Sequence, residues 1–364
     1  MAAQQPVTIL VPFCQRAVDY STTENLLRTC EGIPVRKVIF SYLQEGESLL
    51  DYFYRLKEVV TGNDVDVVLA IYDIATLVQS ALVREFPNRL EGPSVESSFL
   101  AYHKVYTRQC LDPDTDHSSH GVLDLDSETL LEDADALLKR VGLPAFVKVP
   151  CGHSSIGVWK ISSGDQLADV LGAVRRLNGL HFSQNQHSCS AAFMRDFLQK
   201  VLDVDHCPMV LRDTIIVEPY IDAPAKIKLI EVNARMSGNL SGMYAACLSG
   251  RVQLQALLGL CCGVRPALPA PTGRAALNLP LQVHDNYTGK VRDMVNLSEV
   301  EILKEDSDVK ITWFMSFDDE FLHGKMEFAK LWTYGKTPDD AKKKCREVTQ
   351  RLVKKPEQLK FNFP

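Results

Sequence analysis

The chain has 364 residues, of which 46% are hydrophobic and 24% are charged, a composition typical of a globular protein with two or three domains. Its formal net charge of −6 disfavours a nucleic-acid partner, because such a role usually needs a basic surface. No run of about 18 apolar residues is present, so the sequence predicts no transmembrane helix and no membrane partner.

The first residues and the cysteines indicate the compartment. Residues 1–13 lack a basic start and are interpreted as a first strand rather than a signal peptide. The ten cysteines include no C-x-x-C pair, which is typical of reduced thiols that fill space in a core. We therefore expect a cytoplasmic protein.

Residues 1–95 alternate the patterns of strands and helices. Short β-branched runs predict strands at residues 7–13, 35–42 and 65–72. Apolar spacing predicts helices at residues 22–30, 49–60 and 74–86. This order favours a small doubly wound domain built on a parallel sheet.

The rest of the chain mixes helices, hairpin strands and polar loops. Helices are predicted at residues 97–110, with Ser97 or Ser98 as N-cap, and at 127–141, 163–177, 191–202, 242–260 and 338–353, the last capped by Thr337. Strands are predicted at residues 145–150, 158–161, 214–221, 226–233, 275–283, 300–303, 309–315 and 328–334. Residues 112–126 and 181–190 are interpreted as polar stretches outside these elements.

The first candidate motif joins a lysine to a loop of small residues. Lys148 ends a predicted strand, and the loop from Gly152 to Gly157 follows it. The backbone N–H groups of such a turn and a lysine ammonium can hold phosphate oxygens together. The alternative is an ordinary hairpin with a solvated lysine. Lys104, on the helix predicted over residues 97–110, is likewise either solvated or part of the same site.

Two further motifs lie on predicted strands. An apolar strand that ends in Glu218, Pro219 and Tyr220 can offer backbone groups to an adenine edge, although a plain buried strand with an exit turn is the alternative. Glu231 and Asn233 are two residues apart, so both side chains lie on one face of a strand and could bind one Mg²⁺ ion.

Arg235 extends the row that contains Glu231 and Asn233 and could bind a phosphate or a carboxylate. The alternative is a polar row on an exposed edge strand. The apolar neighbours Leu229 and Ile230 indicate a buried strand instead, where an unpaired Glu231 would be costly. We therefore favour a functional role for this row.

The order of these motifs resembles the ATP-grasp superfamily, most closely over residues 146–158 and 229–235. The C-terminal part is similar to the tail of L-amino-acid and carnosine-synthase-like ligases. The resemblance implies an α/β (α+β) ATP-grasp fold with a doubly wound parallel-sheet domain (1–95) and a C-terminal α+β part (263–364). Between them it implies a nucleotide-binding region (96–262), split into a lid subdomain over about 140–210 and a metal-binding subdomain over about 212–262.

The resemblance also implies a role for each candidate residue. Those expected to bind ATP are Lys104 and Lys148 at the phosphates, Ser154, Ser155 and Gly157 in the lid, and Glu218 and Tyr220 at the adenine. Those expected to act on the metal ion and the substrate are Glu231 and Asn233 for Mg²⁺, Arg235 for the acyl phosphate, and Ser237, Gly238 and Asn239 as candidate substrate contacts.

The implied reaction is ATP- and Mg²⁺-dependent joining of a small-molecule carboxylate to an amine through an acyl phosphate, with an amino-acid substrate. One departure from the family pattern opens an alternative. Relatives place several strands between the hinge strand and the metal-binding strand, whereas residues 222–225 connect them directly here. Either an acidic residue such as Asp222 replaces the missing metal ligand, or the chain is a shortened nucleotide-binding or regulatory protein.

Two further expectations concern partners and rival activities. A homodimer is compatible with the sequence, which does not set the oligomeric state. A dehydrogenase is disfavoured, because the turn after the first strand, from Val11 to Arg16, lacks the Gly-x-Gly-x-x-Gly pattern that lets backbone approach a pyrophosphate.

Overall fold

The computed structural model describes most of the chain. The described residues are 5–12, 24–25, 27–30, 32–44, 46–71, 73–110, 120–151, 157–178, 191–202, 212–220, 253–264, 271–284, 287–321 and 327–360. They divide between two compact units, each with its own hydrophobic core. The first unit takes its residues from Met1–Arg16, Arg28–Met236 and Leu260–Gly263, and the second from Ala17–Leu27, Ser237–Gly259 and Val264–Pro364. The division at residues 95 and 262 stays a prediction.

A parallel sheet opens the first unit, as the sequence predicted. Its strands are β1 (Val7–Val11), β2 (Val35–Phe40) and β3 (Val67–Val68), in the order β2-β1-β3. Helix α1 (Leu49–Gly62) joins β2 to β3, and α2 (Asp73–Glu85) follows β3. The Ser48 hydroxyl caps α1 by accepting from the Asp51 N–H, and apolar residues at helical spacing bury one face of α1.

The helix predicted over residues 97–110 is two helices, so that prediction was wrong in its N-cap and its continuity. Helix α3 (Val95–Tyr102) is capped by Ser94, and α4 (Lys104–Cys110) begins after His103. The backbone of His103 is extended, with φ −97° and ψ 102°, which ends α3. The Lys104 N–H then donates to the carbonyl of Pro150 at 2.9 Å rather than to the preceding helical turn. The break therefore ties the start of α4 to a neighbouring hairpin.

A second, antiparallel sheet completes the first unit. Its strands are β4 (Gly121–Asp124), β5 (Ala145–Lys148), β6 (Val158–Ile161) and β7 (Thr214–Pro219), in the order β4-β7-β5-β6. Helices α5 (Leu130–Val141) and α6 (Asp165–Asn178) contact strands of this sheet, whereas α7 (Ala191–Val201) packs against α1.

Strand β4 corrects the prediction of a polar loop over residues 112–126. Leu123 is buried in the core of the first unit, and β4 pairs with β7 along its whole length. Two apolar residues among acidic ones form too short a run to predict a strand, so pairing with a buried neighbour decides the conformation. Residues 111–119 of the predicted loop lie outside the described residues.

The second unit is built on an antiparallel sheet of β8 (Ala275–Gln282), β9 (Val309–Trp313) and β10 (Glu327–Gly335), in the order β8-β10-β9. Its helices include α9 (Val291–Met294), α10 (Leu297–Lys304) and α11 (Pro338–Leu352), followed by a 3₁₀ helix at Pro356–Gln358. Thr337 caps α11 as predicted, in a reciprocal capping box with Asp340.

The strand predicted at residues 300–303 is wrong, because these residues belong to α10. Val300 and Leu303 are both buried and stand three residues apart, which places them on one face of a helix. Helix α8 (Gln253–Cys261) confirms the end of the helix predicted over residues 242–260, whose earlier part lies outside the described residues. No helix among the described residues has both the length and the apolar character needed to cross a bilayer.

Gly157, at the start of β6, offers a test of this packing. Its φ is +73°, and a Cβ built on it would overlap the side chain of Val149. We predict that Gly157→Ala lowers the free energy of unfolding by roughly 2–4 kcal/mol, because backbone strain and overpacking add. Urea unfolding measures this loss.

Gly46 provides the matched control. Its φ is +77°, but no heavy atom lies within 4 Å of a Cβ built there. Gly46→Ala should therefore lower the free energy of unfolding only through the strain of a side chain at positive φ, by about 1–2 kcal/mol. Equal losses in the two variants would show that the close approach of Gly157 to Val149 does not contribute.

Candidate functional site

The two faces of the antiparallel sheet differ in chemical character. Along β5 and β7, Val147 pairs with Val217, and both are buried in the core of the first unit. The intervening positions point to the opposite face, where Phe146 pairs with Glu218 on β7 and with Lys160 on β6. Lys148 lies two residues beyond Phe146, so it shares this face. The alternation therefore collects charged side chains on one side of the sheet.

A buried cluster of three charges lies on this polar face. The guanidinium Nε of Arg108 donates to Oε1 of Glu218 at 2.6 Å, and the Lys148 ammonium donates to Oε2 of the same carboxylate. The exposed fractions of the three side chains are 3% for Arg108, 6% for Glu218 and 11% for Lys148. We call Arg108, Lys148 and Glu218 the charge triad. It joins α4, β5 and β7.

The charge triad sets the ionisation of Glu218. Burial by itself raises the pKa of the Glu218 carboxyl, but the charges and hydrogen bonds of Lys148 and Arg108 outweigh it and hold the pKa below its usual value. The carboxylate is therefore ionised at neutral pH. Counted over these three buried side chains alone, two cations and one anion sum to one positive charge, which favours binding of an anion.

Lys104 belongs to the same neighbourhood through its backbone. Its N–H donates to the carbonyl of Pro150, two residues after Lys148, so the start of α4 contacts the hairpin that carries Lys148. Arg108 follows Lys104 by one helical turn, which places both side chains on the same face of α4. Lys104 is buried. The structure thus brings the two predicted phosphate-binding lysines, Lys104 and Lys148, to adjoining segments.

His103 precedes Lys104 and is fully enclosed. Its ring packs against those of Phe99 and Tyr106, at centroid distances of 5.2 and 4.9 Å. Burial, reinforced by the charge of Lys104, lowers the pKa of His103 to about 3, so the imidazole is neutral at neutral pH. Among the described residues its Nδ1 atom has no hydrogen-bond partner.

Tyr220 provides an aromatic surface beyond the end of β7. Its ring lies 5.6 Å from that of Phe146, and the Lys160 ammonium lies 3.8 Å from the centre of the Tyr220 ring. The Tyr220 N–H donates to the carbonyl of Pro144 at 2.9 Å, which fixes the backbone, while 37% of the residue is exposed. A half-exposed ring beside the charge triad can pack against a flat ligand group.

The structure describes about half of the predicted site. Lys104, Lys148, Gly157, Glu218 and Tyr220 are described, whereas the predicted lid, metal and acyl-phosphate residues Ser154, Ser155, Glu231, Asn233 and Arg235 lie outside the described residues. Within the described ranges no three His, Cys, Asp or Glu side chains could share a metal ion. Arg108 was not predicted as a site residue, although its position four residues after Lys104 on a predicted helix was an available signal.

The described part of the site has the chemistry of an anion site. Both cations of the charge triad are buried, and a lysine ammonium has three donors, so Lys148 can bind Glu218 and a ligand oxygen together. Phosphate groups fit this arrangement, and the neighbouring Tyr220 ring suits a base. The fit of a magnesium ion depends on Glu231 and Asn233, which lie outside the described residues.

A doubly wound parallel sheet followed by a hairpin-bearing antiparallel sheet is the arrangement of the ATP-grasp fold, and comparison with solved structures shows that the chain has it. An L-amino acid ligase from Bacillus licheniformis superposes with a TM-score of 0.65 and 13% identity, over 96% of this chain and 99% of that one. The predicted fold is therefore confirmed.

Two further structures agree. The biotin carboxylase domain of 2-oxoglutarate carboxylase from Hydrogenobacter thermophilus, with MgADP and bicarbonate, gives a TM-score of 0.61 and 11% identity over 96% of this chain and 92% of that one. Carboxyaminoimidazole ribonucleotide synthase from Aspergillus clavatus, with ATP, gives a TM-score of 0.59 and 13% identity over 95% of this chain and 98% of that one. No protein-family model matches the sequence, and no curated protein matches it. Identities this low show the fold alone.

Acid should destabilise the folded chain through His103. This group has a pKa of 6.5 when unfolded and about 3 when folded, so the unfolded state binds the proton first. Stability should therefore fall as the pH drops below 6.5, by up to about 1.4 kcal/mol per pH unit. Glu218 adds to the loss only below its unfolded value of 4.5, because its folded pKa is lowered.

His103→Leu isolates this effect. Urea unfolding between about pH 6.5 and 5 should show that the free energy of unfolding falls less steeply with decreasing pH in the variant than in the wild type. The difference in slope should be up to about 1.4 kcal/mol per pH unit, the value for one bound proton. Glu218 is ionised in both states over that range and does not interfere. Parallel pH profiles for the two proteins would contradict the burial of a neutral His103.

Proposed function

We propose that this protein is an ATP- and Mg²⁺-dependent ligase that joins a carboxylate to an amine, with an amino-acid substrate. The observation that carries the proposal is the buried charge triad of Arg108, Lys148 and Glu218, which offers excess positive charge beside Lys104 in an ATP-grasp fold. Solved structures with this fold include an L-amino acid ligase, a biotin carboxylase domain with MgADP and a synthase with ATP.

The proposed nucleotide site uses the face of the sheet described above. Lys148 and Lys104 donate to phosphate oxygens, while Tyr220 and the end of β7 line the adenine pocket with Glu218. The proposed lid consists of Ser154, Ser155 and Gly157, and the proposed magnesium ligands are Glu231 and Asn233. Magnesium, when bound, neutralises phosphate charge and orients the transferring group.

The proposed reaction needs little chemistry from the side chains themselves. A substrate carboxylate oxygen attacks the γ-phosphorus of ATP, the bond from that phosphorus to the β,γ-bridging oxygen breaks, and ADP leaves. The lysines stabilise the charge on the transferring group. Arg235 steadies the acyl phosphate that results. An amine then displaces phosphate, with a closed lid excluding water that would hydrolyse the acyl phosphate. We propose that the protein works in the cytoplasm, and a homodimer is compatible with this scheme.

A second candidate follows from the short connection at residues 222–225. If no acidic residue replaces the missing metal ligand, the protein binds nucleotide without turnover and acts as a regulatory module. Both candidates share the nucleotide site, so they differ only in whether ADP is released. The connection is a feature of the sequence and lies outside the described residues.

Removal of Lys148 should abolish nucleotide binding. At a concentration about 100 times the dissociation constant, Mg-ATP should stabilise the wild type by about 2.7 kcal/mol, seen as a rise in Tm. Lys148→Ala should lose this rise, because the ammonium that meets the phosphates is gone. Lys139→Ala is the control, since Lys139 is exposed and, among the described residues, its ion pair is with Asp135 on its own helix. A rise that survives in Lys148→Ala would mean that the nucleotide binds elsewhere.

Turnover separates the two candidates. The ligase predicts ADP release above background when Mg-ATP is incubated with a particular acid and amine from an amino-acid panel, and background release in Glu231→Ala. The regulatory module predicts a rise in Tm with Mg-ATP and no ADP release with any pair. The readout is coupled ADP detection alongside mass spectrometry of the product.

A further inference from the structure

The charge triad divides the carboxylate of Glu218 between two donors. The Nε atom of Arg108 donates to Oε1 at 2.6 Å, and the Lys148 ammonium donates to Oε2, so the two cations do not compete for one oxygen. Arg108 comes from a helix, whereas Lys148 and Glu218 come from adjacent strands. The helix therefore supplies the second donor independently of the sheet.

The second donor, Arg108, decides whether the Lys148 ammonium can donate to a ligand while Glu218 stays paired. With Arg108 present, the triad carries one positive charge in excess, and Glu218 keeps a partner when Lys148 turns toward an anion. Without Arg108, the remaining Lys148 and Glu218 would be a neutral buried pair. Drawing Lys148 toward a phosphate would then leave a buried carboxylate uncompensated, which is costly in a region of low dielectric.

We propose that Arg108 is a positioning residue that binds Glu218 so that Lys148 can donate to a phosphate group, an inference that rests on the nucleotide site proposed above. Arg108 acts through Glu218 and need not touch the ligand. The net charge of the triad, rather than the presence of an arginine, then sets the affinity for polyphosphate.

A charge series tests this inference. Inorganic tripolyphosphate is the probe, because it carries the charge of the nucleotide without the adenine that Glu218 and Tyr220 are proposed to line. Isothermal titration calorimetry compares the wild type with Arg108→Met, Glu218→Gln and the double variant Arg108→Met/Glu218→Gln. The control is Arg55→Met, which removes an arginine whose Nε binds Glu47 at 2.7 Å outside the site.

The triad charge predicts the order of affinities. Arg108→Met should bind tripolyphosphate about ten to a hundred times more weakly, the range for loss of one charge-assisted hydrogen bond. The double variant restores one excess positive charge and should regain most of the wild-type affinity. Glu218→Gln should bind at least as tightly as the wild type, and Arg55→Met should match the wild type.

Several outcomes would overturn the inference. Unchanged affinity in Arg108→Met would show that Arg108 does not assist Lys148. A double variant as weak as Arg108→Met would show that the arginine itself binds the anion or has only a structural role. If Arg108→Met does not fold, as judged by near-ultraviolet circular dichroism, the comparison of the wild type with Glu218→Gln and the double variant still decides, and weaker binding by either would overturn the inference.

The same titrations with Mg-ATP distinguish this inference from the proposed function. If tripolyphosphate follows the charge series while Mg-ATP gives no heat with the wild type, Arg108 has its proposed role and the nucleotide function is wrong. If Mg-ATP binds all variants equally, the nucleotide function stands and the inference is overturned. A wild type that binds neither probe overturns both.

Discussion

The site depends on the compensation of a buried carboxylate. Glu218 lies in a largely enclosed position, where an unpaired charge would cost several kcal/mol. Arg108 and Lys148 each donate a hydrogen bond to one of its oxygens, and these bonds hold α4 and β5 against β7. Within the charge triad two cations face one carboxylate, and this is the basis of the proposed anion site. The ion pairs that stabilise the fold at this point therefore also form the proposed site.

The antiparallel sheet makes that arrangement possible by separating its two faces. Val147 and Val217 complete the core of the first unit, while Phe146, Lys148 and Glu218 occupy the other side of the same strands. A shift of one residue in the register of β5 against β7 would turn Lys148 toward the core. Burial of the apolar face therefore fixes the position of the charged face. The break at His103 lets α4 begin beside the hairpin of β5 and β6, and Arg108 on α4 then meets Glu218 on the charged face.

Regular elements with a clear period were predictable, and irregular ones were not. The strands of the parallel sheet, the hairpin of β5 and β6, and α11 with its Thr337 cap are confirmed. The errors fall where local pattern is weak: β4 has too few apolar residues, α10 contains a short β-branched run, and His103 interrupts a good helical period. In each case packing against a distant segment outweighs local propensity.

The sequence by itself determined that Lys148 and Glu218 were candidates, because Lys148 ends a predicted strand before a loop of small residues and Glu218 ends an apolar strand before Pro219 and Tyr220. Only the tertiary structure decided that they meet, and that Arg108 joins them. Arg108 is separated from Glu218 by 110 positions along the chain, and no local period relates the two. An ion pair between distant elements depends on how helices and strands pack, and that information is spread over every residue of the core.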